Sequence, residues 1–402
     1  MPFARTSALR REIERAFPQR PFAIEFWDGS RVPSTDGSGP TFEVRSPKAI
    51  AHVVRAPGQL GLGRAYVSGE LEPDDLDEAM GVVGEWEPPP VDPGTRAKLM
   101  VGAVRACGLT LPPRTPAVEL ALRGKLHSNP RDARAVRHHY DVSNQFFSLF
   151  LDRSLTYSCA IFSRGAGNLE EAQEEKLDMV CRKLNLREGD RVLDIGSGWG
   201  SFAIHAARRY GAQVVGITLS EPQAGLARIR AADAGVADQV EFRVVDYRDL
   251  AAGRFDAIAS IGMVEHVGEQ QIDLYAKRLS ELLRPGGRLL NHGIARLRHT
   301  DPAPGAFSQR YVFPDGDPLH LSRVLLALER AGFETSHVEG FRQDYAETLR
   351  HWAQRLDQNL HTAGQLAGAE RLRVWRLYLR AARNGFESGF TSVYQVTCRL
   401  PG

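Results

Sequence analysis

The segment Asp194-Ile-Gly196-Ser-Gly198-Trp-Gly200 decides the fold of this 402-residue chain. An apolar stretch typical of a buried strand, Arg191 to Ile195, leads into it, and a helix-like stretch, Ser201 to Tyr210, follows it. Three glycines in a strand-to-helix turn let a ligand approach the backbone closely, and the helix N-terminus favours a negative group. The segment therefore predicts an α/β fold with a ligand site at the end of this strand.

The spacing of the glycines separates two classes of cofactor. It reads Gly-x-Gly-x-Gly, whereas dinucleotide sites favour Gly-x-Gly-x-x-Gly, so the methionine carboxylate and ribose of S-adenosylmethionine fit better than a pyrophosphate. Glu221 lies about where a dinucleotide fold has its ribose-binding acid, which keeps NAD as an alternative. Asp246 and Tyr247 follow a later strand, where a carboxylate can accept from an adenine amino group and an aromatic ring can stack on the base. The competing interpretation of Asp246 is an ordinary helix cap.

Strand-like and helix-like segments alternate from about Leu169 onwards. Such alternation predicts a doubly wound, mostly parallel, Rossmann-like sheet of seven strands. A helix is predicted over 321–331, and residues 341–390 form a helical insertion before the last strand. The predicted strands are Arg191 to Ile195, Gln213 to Ile217, Val240 to Val245, Phe255 to Ile261, Arg288 to Asn291, Glu334 to Glu339 and Ser392 to Cys398.

The first hundred residues have a different character. Short segments at 22–27, 41–44 and 50–54 and a helix-like stretch at 74–83 predict a small α+β domain. The proline-rich run 87–93 interrupts regular structure, because proline removes a backbone donor and restrains its neighbours. We predict a small N-terminal domain over residues 1–92, a basic linker over 93–136 and a catalytic domain over 137–402.

Composition limits the class of protein. The chain is 43% hydrophobic with a net charge of +2, and it holds no apolar run of about 18 residues. Its N-terminus mixes acidic and basic residues, so we expect neither export nor a membrane span, and a cytoplasmic location. The four cysteines are widely separated and form no Cys-x-x-Cys pair, so neither a disulfide framework nor a metal site is expected.

The segment from Thr95 to His138 is strongly basic, with nine Lys and Arg residues against two acidic ones. Clustered cations attract an anionic surface, and phospholipid headgroups or nucleic acid would serve equally well on electrostatic grounds. A solvated helix face or linker is the other interpretation.

Two segments before the sheet carry a family resemblance: His139-Tyr140-Asp141-Val-Ser143-Asn144-Gln-Phe146-Phe147 and Leu155-Thr-Tyr157-Ser158-Cys159-Ala160. Together with the glycine segment they resemble the cyclopropane fatty acid synthases and mycolic acid cyclopropane synthases, including methyl- or methylene-forming relatives. Further matching segments follow at 216–223, 260–268, 291–294, 311–314 and 344–349. The resemblance runs from about Arg137 to Val396, and it implies the Rossmann-like seven-stranded class I methyltransferase fold. A weaker one over 61–69 is similar to the N-terminal domain of longer bacterial synthases.

The resemblance implies two sets of site residues. Those expected around S-adenosylmethionine are Tyr157, Ser158, Gly196, Gly198, Gly200, Thr218, Leu219, Gln223, Asp246, Tyr247 and Ile261. Those expected to hold bicarbonate are Cys159, Glu265, His292, Ile294 and Tyr345. Taken singly, Cys159 can be a buried hydrophobe, His292 a core histidine and Glu265 a helix-start residue. It is their joint occurrence that favours a catalytic site.

The implied reaction delivers a one-carbon unit from S-adenosylmethionine to the cis double bond of an unsaturated phospholipid acyl chain. Methyl transfer leaves a carbocation that aromatic faces can stabilise, and Tyr140 is preferred over Phe146, Phe162 and Phe313 for this role. Bound bicarbonate offers a weak base for ring closure, whereas a carboxylate side chain could trap the cation. Glu265 would orient the bicarbonate, while His292 and Tyr345 would pass the proton outward.

Several alternatives stay open. A hydride shift before proton loss would give a methylene product, and the Asn291-His292-Gly293 segment departs from the His-Thr-Ile form of several cyclopropane synthases. A nitrogen or oxygen methyltransferase, or a noncatalytic lipid or nucleic-acid binder, would not need the bicarbonate residues. We expect a homodimer on the inner face of the plasma membrane, with no nucleic-acid partner. The helical insertion would line an acyl channel or serve dimerisation or packing.

Overall fold

The computed structural model describes residues 6–108, 113–120, 131, 143–251, 253, 255–298 and 305–402. The chain folds into two compact units. Unit 1 consists of residues 1–120, 305–311 and 368–384, and unit 2 of residues 121–304, 312–367 and 385–402. The predicted domain bounds stay a prediction, and much of the predicted basic linker lies outside the described residues.

Helices and strands are numbered in chain order. The helices are α1 (Ser7–Ala16), α2 (Pro47–Arg55), α3 (Gln59–Val67), α4 (Leu76–Glu85), α5 (Pro93–Cys107), α6 (Asn144–Ser148), α7 (Leu169–Lys183), α8 (Ser201–Tyr210), α9 (Glu221–Asp233), α10 (Ile272–Leu282), α11 (Ala306–Tyr311), α12 (Leu321–Arg330), α13 (Arg342–Gln358), α14 (Leu360–Ala367) and α15 (Ala369–Glu387). The strands are β1 (Ala23–Phe26), β2 (Arg31–Val32), β3 (Thr41–Val44), β4 (Leu71–Pro73), β5 (Arg191–Ile195), β6 (Gln213–Thr218), β7 (Val240–Val244), β8 (Phe255–Ile261), β9 (Leu283–Arg296), β10 (Glu334–Gly340) and β11 (Thr391–Arg399).

Unit 1 is built on a four-stranded sheet in the order β2-β1-β3-β4, in which β1 and β3 are parallel. Apolar residues of the sheet and of α1, α2 and α5 form its core, including Phe26, Val32 and Ala103. The apolar segment 50–54 lies in helix α2, which Ser46 caps through its side chain. Helix α4 ends at Glu85 and α5 begins at Pro93, so the proline-rich run breaks regular structure as predicted.

Unit 2 contains a seven-stranded sheet in the order β10-β11-β9-β8-β5-β6-β7. The five strands from β9 to β7 run parallel, and β11 is antiparallel to both of its neighbours. The predicted strands are all present, and the insertion after β10 is helical as expected. Strand β9 begins five residues earlier than predicted, because Arg284-Pro-Gly-Gly287 continues the strand through an irregular register with β8.

Both faces of the larger sheet are covered, as its apolar strands require. Leu193 and Ile258 pack towards α10 and α12, while Val192 and Leu290 pack towards α7, α8 and α9. The carboxyl ends of β5, β6 and β8 therefore meet at one edge between two helical layers. None of the helices in the described part of the chain combines the length and the apolarity needed to cross a bilayer.

Candidate active site

The glycine loop after β5 has a backbone conformation that favours glycine. Gly196, Gly198 and Gly200 have positive φ angles of 79°, 53° and 82°. A Cβ atom at Gly196 would lie 2.7 Å from Cγ of Met263, and one at Gly200 would lie 2.6 Å from Cζ of Phe242. Since a methyl group fits at neither position without movement, the loop itself requires these glycines.

A pocket opens beside this loop, at the carboxyl ends of the central strands, where doubly wound sheets bind their ligands. Ten of the eleven predicted cofactor residues line it: Tyr157, Ser158, Gly196, Gly198, Thr218, Leu219, Gln223, Asp246, Tyr247 and Ile261. Gly200 is the exception, because it is the N-cap of α8. Its role is to let the helix begin close to Phe242, and it is not part of the pocket wall.

One end of the pocket contains Asp246 and Tyr247, the residues predicted to hold adenine. Asp246 accepts from the backbone N–H of Arg248 at 2.9 Å and from its guanidinium at 2.6 and 2.9 Å. The ring of Tyr247 meets Tyr275 edge to face, with 5.6 Å between centroids. Asp246 thus lines the pocket, and its carboxylate closes a local turn. A turn and not a helix follows it, so the helix-cap interpretation is wrong.

The opposite end holds a buried cation that the sequence motifs did not predict. Lys176 of α7 donates through Nζ to Oγ of Ser158 at 3.0 Å, and the backbone oxygen of Ser158 accepts from Nε2 of Gln173 at 2.9 Å. Burial lowers the pKa of Lys176 to about 8. Burial also raises the pKa of Asp194 to about 7, although the Lys176 charge opposes that rise.

A sequence signal for these residues does exist. Gln173 and Lys176 occur at helical spacing among the buried residues of α7, such as Leu169, Ala172 and Leu177. Polar side chains on an otherwise buried helix face need partners, and here the partners belong to a pocket wall. A polar pair within an apolar stripe is therefore the pattern that predicts such a site.

Glu265 lies in the 3₁₀ turn Val264–His266 that follows β8. Its carboxylate accepts from the backbone N–H of Ile294, and its Oε2 atom is buried with no hydrogen-bond partner among the described residues. Burial raises the pKa of Glu265 to about 7. Glu265 is therefore a carboxyl group that can exchange a proton near neutral pH.

His292 of β9 is buried, and neither ring nitrogen has a partner among the described residues. Burial, Lys176 and Lys183 lower its pKa to about 3, so the imidazole is neutral. The Cys159 thiol is buried too, and its Sγ lies 3.2 Å from the oxygen of Ala160 and 3.7 Å from that of Phe341. Burial raises the thiol pKa well above its usual value, so Cys159 is not a nucleophile.

The remaining predicted residues are less closely connected. Tyr345 of α13 packs on Phe386, with 4.5 Å between ring centroids, and edge-on against Trp352 at 6.2 Å. Of the aromatic candidates for cation stabilisation, Phe313 contacts His266 on the pocket wall at 5.3 Å between centroids. Tyr140 lies outside the described residues, so its role stays a prediction.

The unusual Asn291-His292-Gly293 segment has a structural explanation. The hydroxyl of Tyr275 donates to Oδ1 of Asn291 at 2.9 Å and also lies 2.6 Å from Oγ of Ser260, which joins β9 to β8. A Cβ atom at Gly293 would lie 2.1 Å from Cγ1 of Val264 and 3.3 Å from Oε2 of Glu265. Glycine is therefore needed at 293 because Val264 fills the space of its side chain.

These groups fit a small oxyanion such as bicarbonate. The neutral imidazole of His292 offers one donor and one acceptor, and Glu265 with its raised pKa can share a proton with an oxygen. All three buried atoms lack a protein partner among the described residues, which is costly unless a ligand or water satisfies them.

Fold and pocket together define a class I methyltransferase that depends on S-adenosylmethionine. The family model described as mycolic acid cyclopropane synthetase matches residues 127–396. The chain belongs to this family, which also includes cyclopropane-fatty-acyl-phospholipid synthases.

Individual relatives cover nearly the whole chain. A probable fatty acid methyltransferase of Pseudomonas putida is 39% identical over 95% of this chain and 92% of its own length. The cyclopropane-fatty-acyl-phospholipid synthase of Escherichia coli is 33% identical over 90% of this chain and 88% of its own. The solved structure of the mycolic acid cyclopropane synthase CmaA1 with SAH and CTAB covers 66% of this chain and 98% of its own, at 32% identity and a TM-score of 0.63.

Proposed function

We propose that this enzyme transfers a methyl-derived one-carbon unit to the cis double bond of an unsaturated phospholipid acyl chain and closes a cyclopropane ring. The observation that carries the proposal is the pair Glu265 and His292, whose buried polar atoms lack partners among the described residues. His292 pairs in register with Ile261, which lines the cofactor pocket. The Escherichia coli relative is described as a cyclopropane-fatty-acyl-phospholipid synthase, which supports the acyl substrate.

The residues around the pocket have separate roles in the proposed reaction. S-adenosylmethionine supplies an electrophilic methyl group, and bicarbonate a weak base held by Glu265, His292 and Tyr345 with the backbone at Cys159 and Ile294. The glycine loop and the walls of the pocket hold the reacting atoms in line and exclude water. Glu265 can accept a proton at Oε2, since its carboxylate is oriented by the Ile294 N–H. Polar groups thus face the region where positive charge develops.

Incubation of the protein with methyl-labelled S-adenosylmethionine and dioleoyl phospholipid tests the function. We expect label in a cyclopropane acyl chain, identified by gas chromatography and mass spectrometry after transesterification. A heat-denatured sample is the control. If the protein binds S-adenosylmethionine but labels no acyl chain, the proposal is wrong.

A methylene product, the precursor of a methyl branch that a separate reduction would form, is the second candidate, since the same cation can undergo a hydride shift and then lose a proton. The Pseudomonas putida relative is described as a fatty acid methyltransferase, which favours this outcome. The absence of a side chain at 293 beside Oε2 of Glu265 also distinguishes this site from the His-Thr-Ile form. Label in an exocyclic methylene in the same assay would select this candidate.

We propose that the enzyme draws its acyl chains from an anionic bilayer, the inner face of the plasma membrane, and that unit 1 binds that surface through α5. Met100, Val101 and Val104 on this helix are 40, 48 and 53% exposed. Lys98 and Arg105 are exposed beside them, and the helix contains no acidic residue. Apolar side chains flanked by cations are typical of helices that lie in a membrane interface. A homodimer stays a prediction from the family.

Neutralising two of the three exposed cations of α5 tests this surface. We expect Lys98→Gln/Arg105→Gln to weaken binding to vesicles of phosphatidylglycerol and phosphatidylcholine by about 30-fold, since each cation contributes about 1 kcal/mol at such a surface. Co-sedimentation at fixed salt measures the change. Val83→Ser on the acidic helix α4, where Val83 is 59% exposed, is the matched control and should bind like wild type. Equal binding by all three proteins contradicts the assignment.

A further inference from the structure

Gln395 of β11 is a buried amide directly opposite His292. The two residues are register partners in the antiparallel pair β11–β9, and both are buried. Directly opposed residues in such a pair have side chains on the same face, with Cβ atoms about 4.5–5.5 Å apart. Gln395 is therefore a neighbour of the imidazole, although the family resemblance assigns it no role.

Lys183 of α7 determines which end of this amide can face His292. Its Nζ donates to Oε1 of Gln395 and to Oε2 of Glu339, each at 2.6 Å. The ammonium group also lies 5.2 Å from the centre of the Phe341 ring, and its side chain is 15% exposed. Because an ammonium group only donates, the amide must present its oxygen to Lys183 and direct its NH₂ group elsewhere.

The amide nitrogen and the imidazole have complementary needs. Nε2 of Gln395 is buried without a partner among the described residues, as are both nitrogens of His292. A neutral imidazole has one acceptor nitrogen, which is what a buried N–H donor requires. The two side chains do not bond to each other in this structure. An unpaired buried polar group costs about 1–3 kcal/mol, so a side-chain rotation that brings Nε2 of Gln395 to the imidazole removes a cost from each.

The charges around His292 also favour the neutral ring. Lys176 and Lys183 act on it from α7. Glu265 follows the neighbouring strand β8, and Glu339 on β10 is already engaged by Lys183. Burial and the two cations lower the pKa of His292, so the ring accepts a hydrogen bond at one nitrogen while it carries its proton on the other.

We propose that Gln395, held by Lys183, is a positioning residue that donates from Nε2 to the imidazole of His292 and thereby fixes its orientation and tautomer. The N–H of His292 then points away from β11, where it can serve the chemistry assigned to Glu265. The effect on turnover rests on the proposed function, whereas the hydrogen-bond arrangement does not.

Nitrogen NMR of the ¹⁵N-histidine-labelled protein tests the arrangement without any substrate. The His292→Gln spectrum identifies the His292 signals. We expect wild type to show one neutral tautomer that does not titrate above pH 5. Gln395→Met, which removes the donor at similar length, should give a mixture of tautomers. Gln395→Glu places an acceptor opposite the ring, so the His292 titration midpoint should rise by about 1–3 pH units.

Thr397→Val is the matched control, since Thr397 is buried two residues further along the same face of β11 and its hydroxyl also lacks a partner among the described residues. It should leave the His292 signals unchanged. If the Gln395 variants fold poorly, Lys183→Met is an independent test. It removes the group that holds the amide oxygen of Gln395, so it should give the same mixture of His292 tautomers. The proposal is overturned if Gln395→Met, Gln395→Glu and Lys183→Met keep the wild-type tautomer and titration, or if Thr397→Val alters them equally.

Turnover gives a second readout. In Gln395→Met we expect kcat to fall by about 10–100-fold, which is less than the full 10²–10⁴-fold contribution of an acid–base group because His292 itself remains, with an unchanged KM for S-adenosylmethionine. A fall in kcat without a change in tautomer would mean that Gln395 acts by another route, and the proposal would be wrong. Failure of the proposed function would appear differently, as wild type that makes no acyl product while its NMR signals behave as expected.

Discussion

Glu265→Gln is expected to bind S-adenosylmethionine as wild type does and to lose about 10²–10⁴-fold in kcat, the usual contribution of a general acid–base group. Glutamine keeps the shape of the side chain and an oxygen for the Ile294 N–H. It cannot exchange a proton at the buried atom that is Oε2 in the wild type. Calorimetry with S-adenosylmethionine and the labelled-product assay measure the two effects separately.

Glu269→Gln is the control for this variant, because Glu269 lies four residues further on in an exposed ion pair with Arg323. It should retain wild-type turnover. The pH dependence of the rate is a further check. Burial raises the pKa of Glu265 to about 7, so the wild-type rate should rise with pH through about 7 as the carboxylate forms. Parallel losses of cofactor affinity and rate in Glu265→Gln would contradict the assigned role.

Lys176→Met is expected to weaken the binding of S-adenosylmethionine by about 10–100-fold, the cost of a hydrogen bond to a charged group. Lys176 lines the glycine-loop end of the pocket and donates to Ser158. The methionine carboxylate is the anionic part of the cofactor, so a buried ammonium group at that end should attract it. The 5′-methylthioadenosine analogue lacks the amino-acid group and should bind both proteins equally.

Lys183→Met provides the comparison on the same helix. Lys183 lies seven residues beyond Lys176 and contacts Gln395 and Glu339, and it is not among the residues that line the cofactor pocket. This variant should keep wild-type affinity for S-adenosylmethionine. Should Lys176→Met weaken the thioadenosine analogue as much as the full cofactor, the change would reflect a general collapse of the pocket.

Local patterns predicted the strands of unit 2, the glycine loop, Asp246 and Tyr247, whereas the other cofactor residues needed the family resemblance. Glycines with positive φ angles and apolar strands can be recognised without knowing their neighbours. The bicarbonate residues needed the family resemblance, since they come from separate segments such as those around Cys159 and His292. Glu265 lies beside position 293 because β8 pairs with β9, and a local pattern does not contain that sheet order.

The interactions that support the site escaped prediction for the same reason. Lys183 and Gln395 are far apart in the chain and meet only because β11 lies next to β9, below α7. Gln173 and Lys176 lie on the buried face of α7, and only the fold shows that their partner Ser158 belongs to the pocket wall. The requirement for glycine at 293 depends on Val264, which follows a different strand.

The contact between Val264 and position 293 limits how this active site can diverge. Introducing the His-Thr-Ile form into this chain would put a threonine at position 293, where its Cβ atom would lie 2.1 Å from Cγ1 of Val264. The substitution can be accommodated only when residue 264 becomes smaller or moves. The two positions are therefore epistatic, and a library that varies one residue at a time would discard the combinations in which product outcome can change.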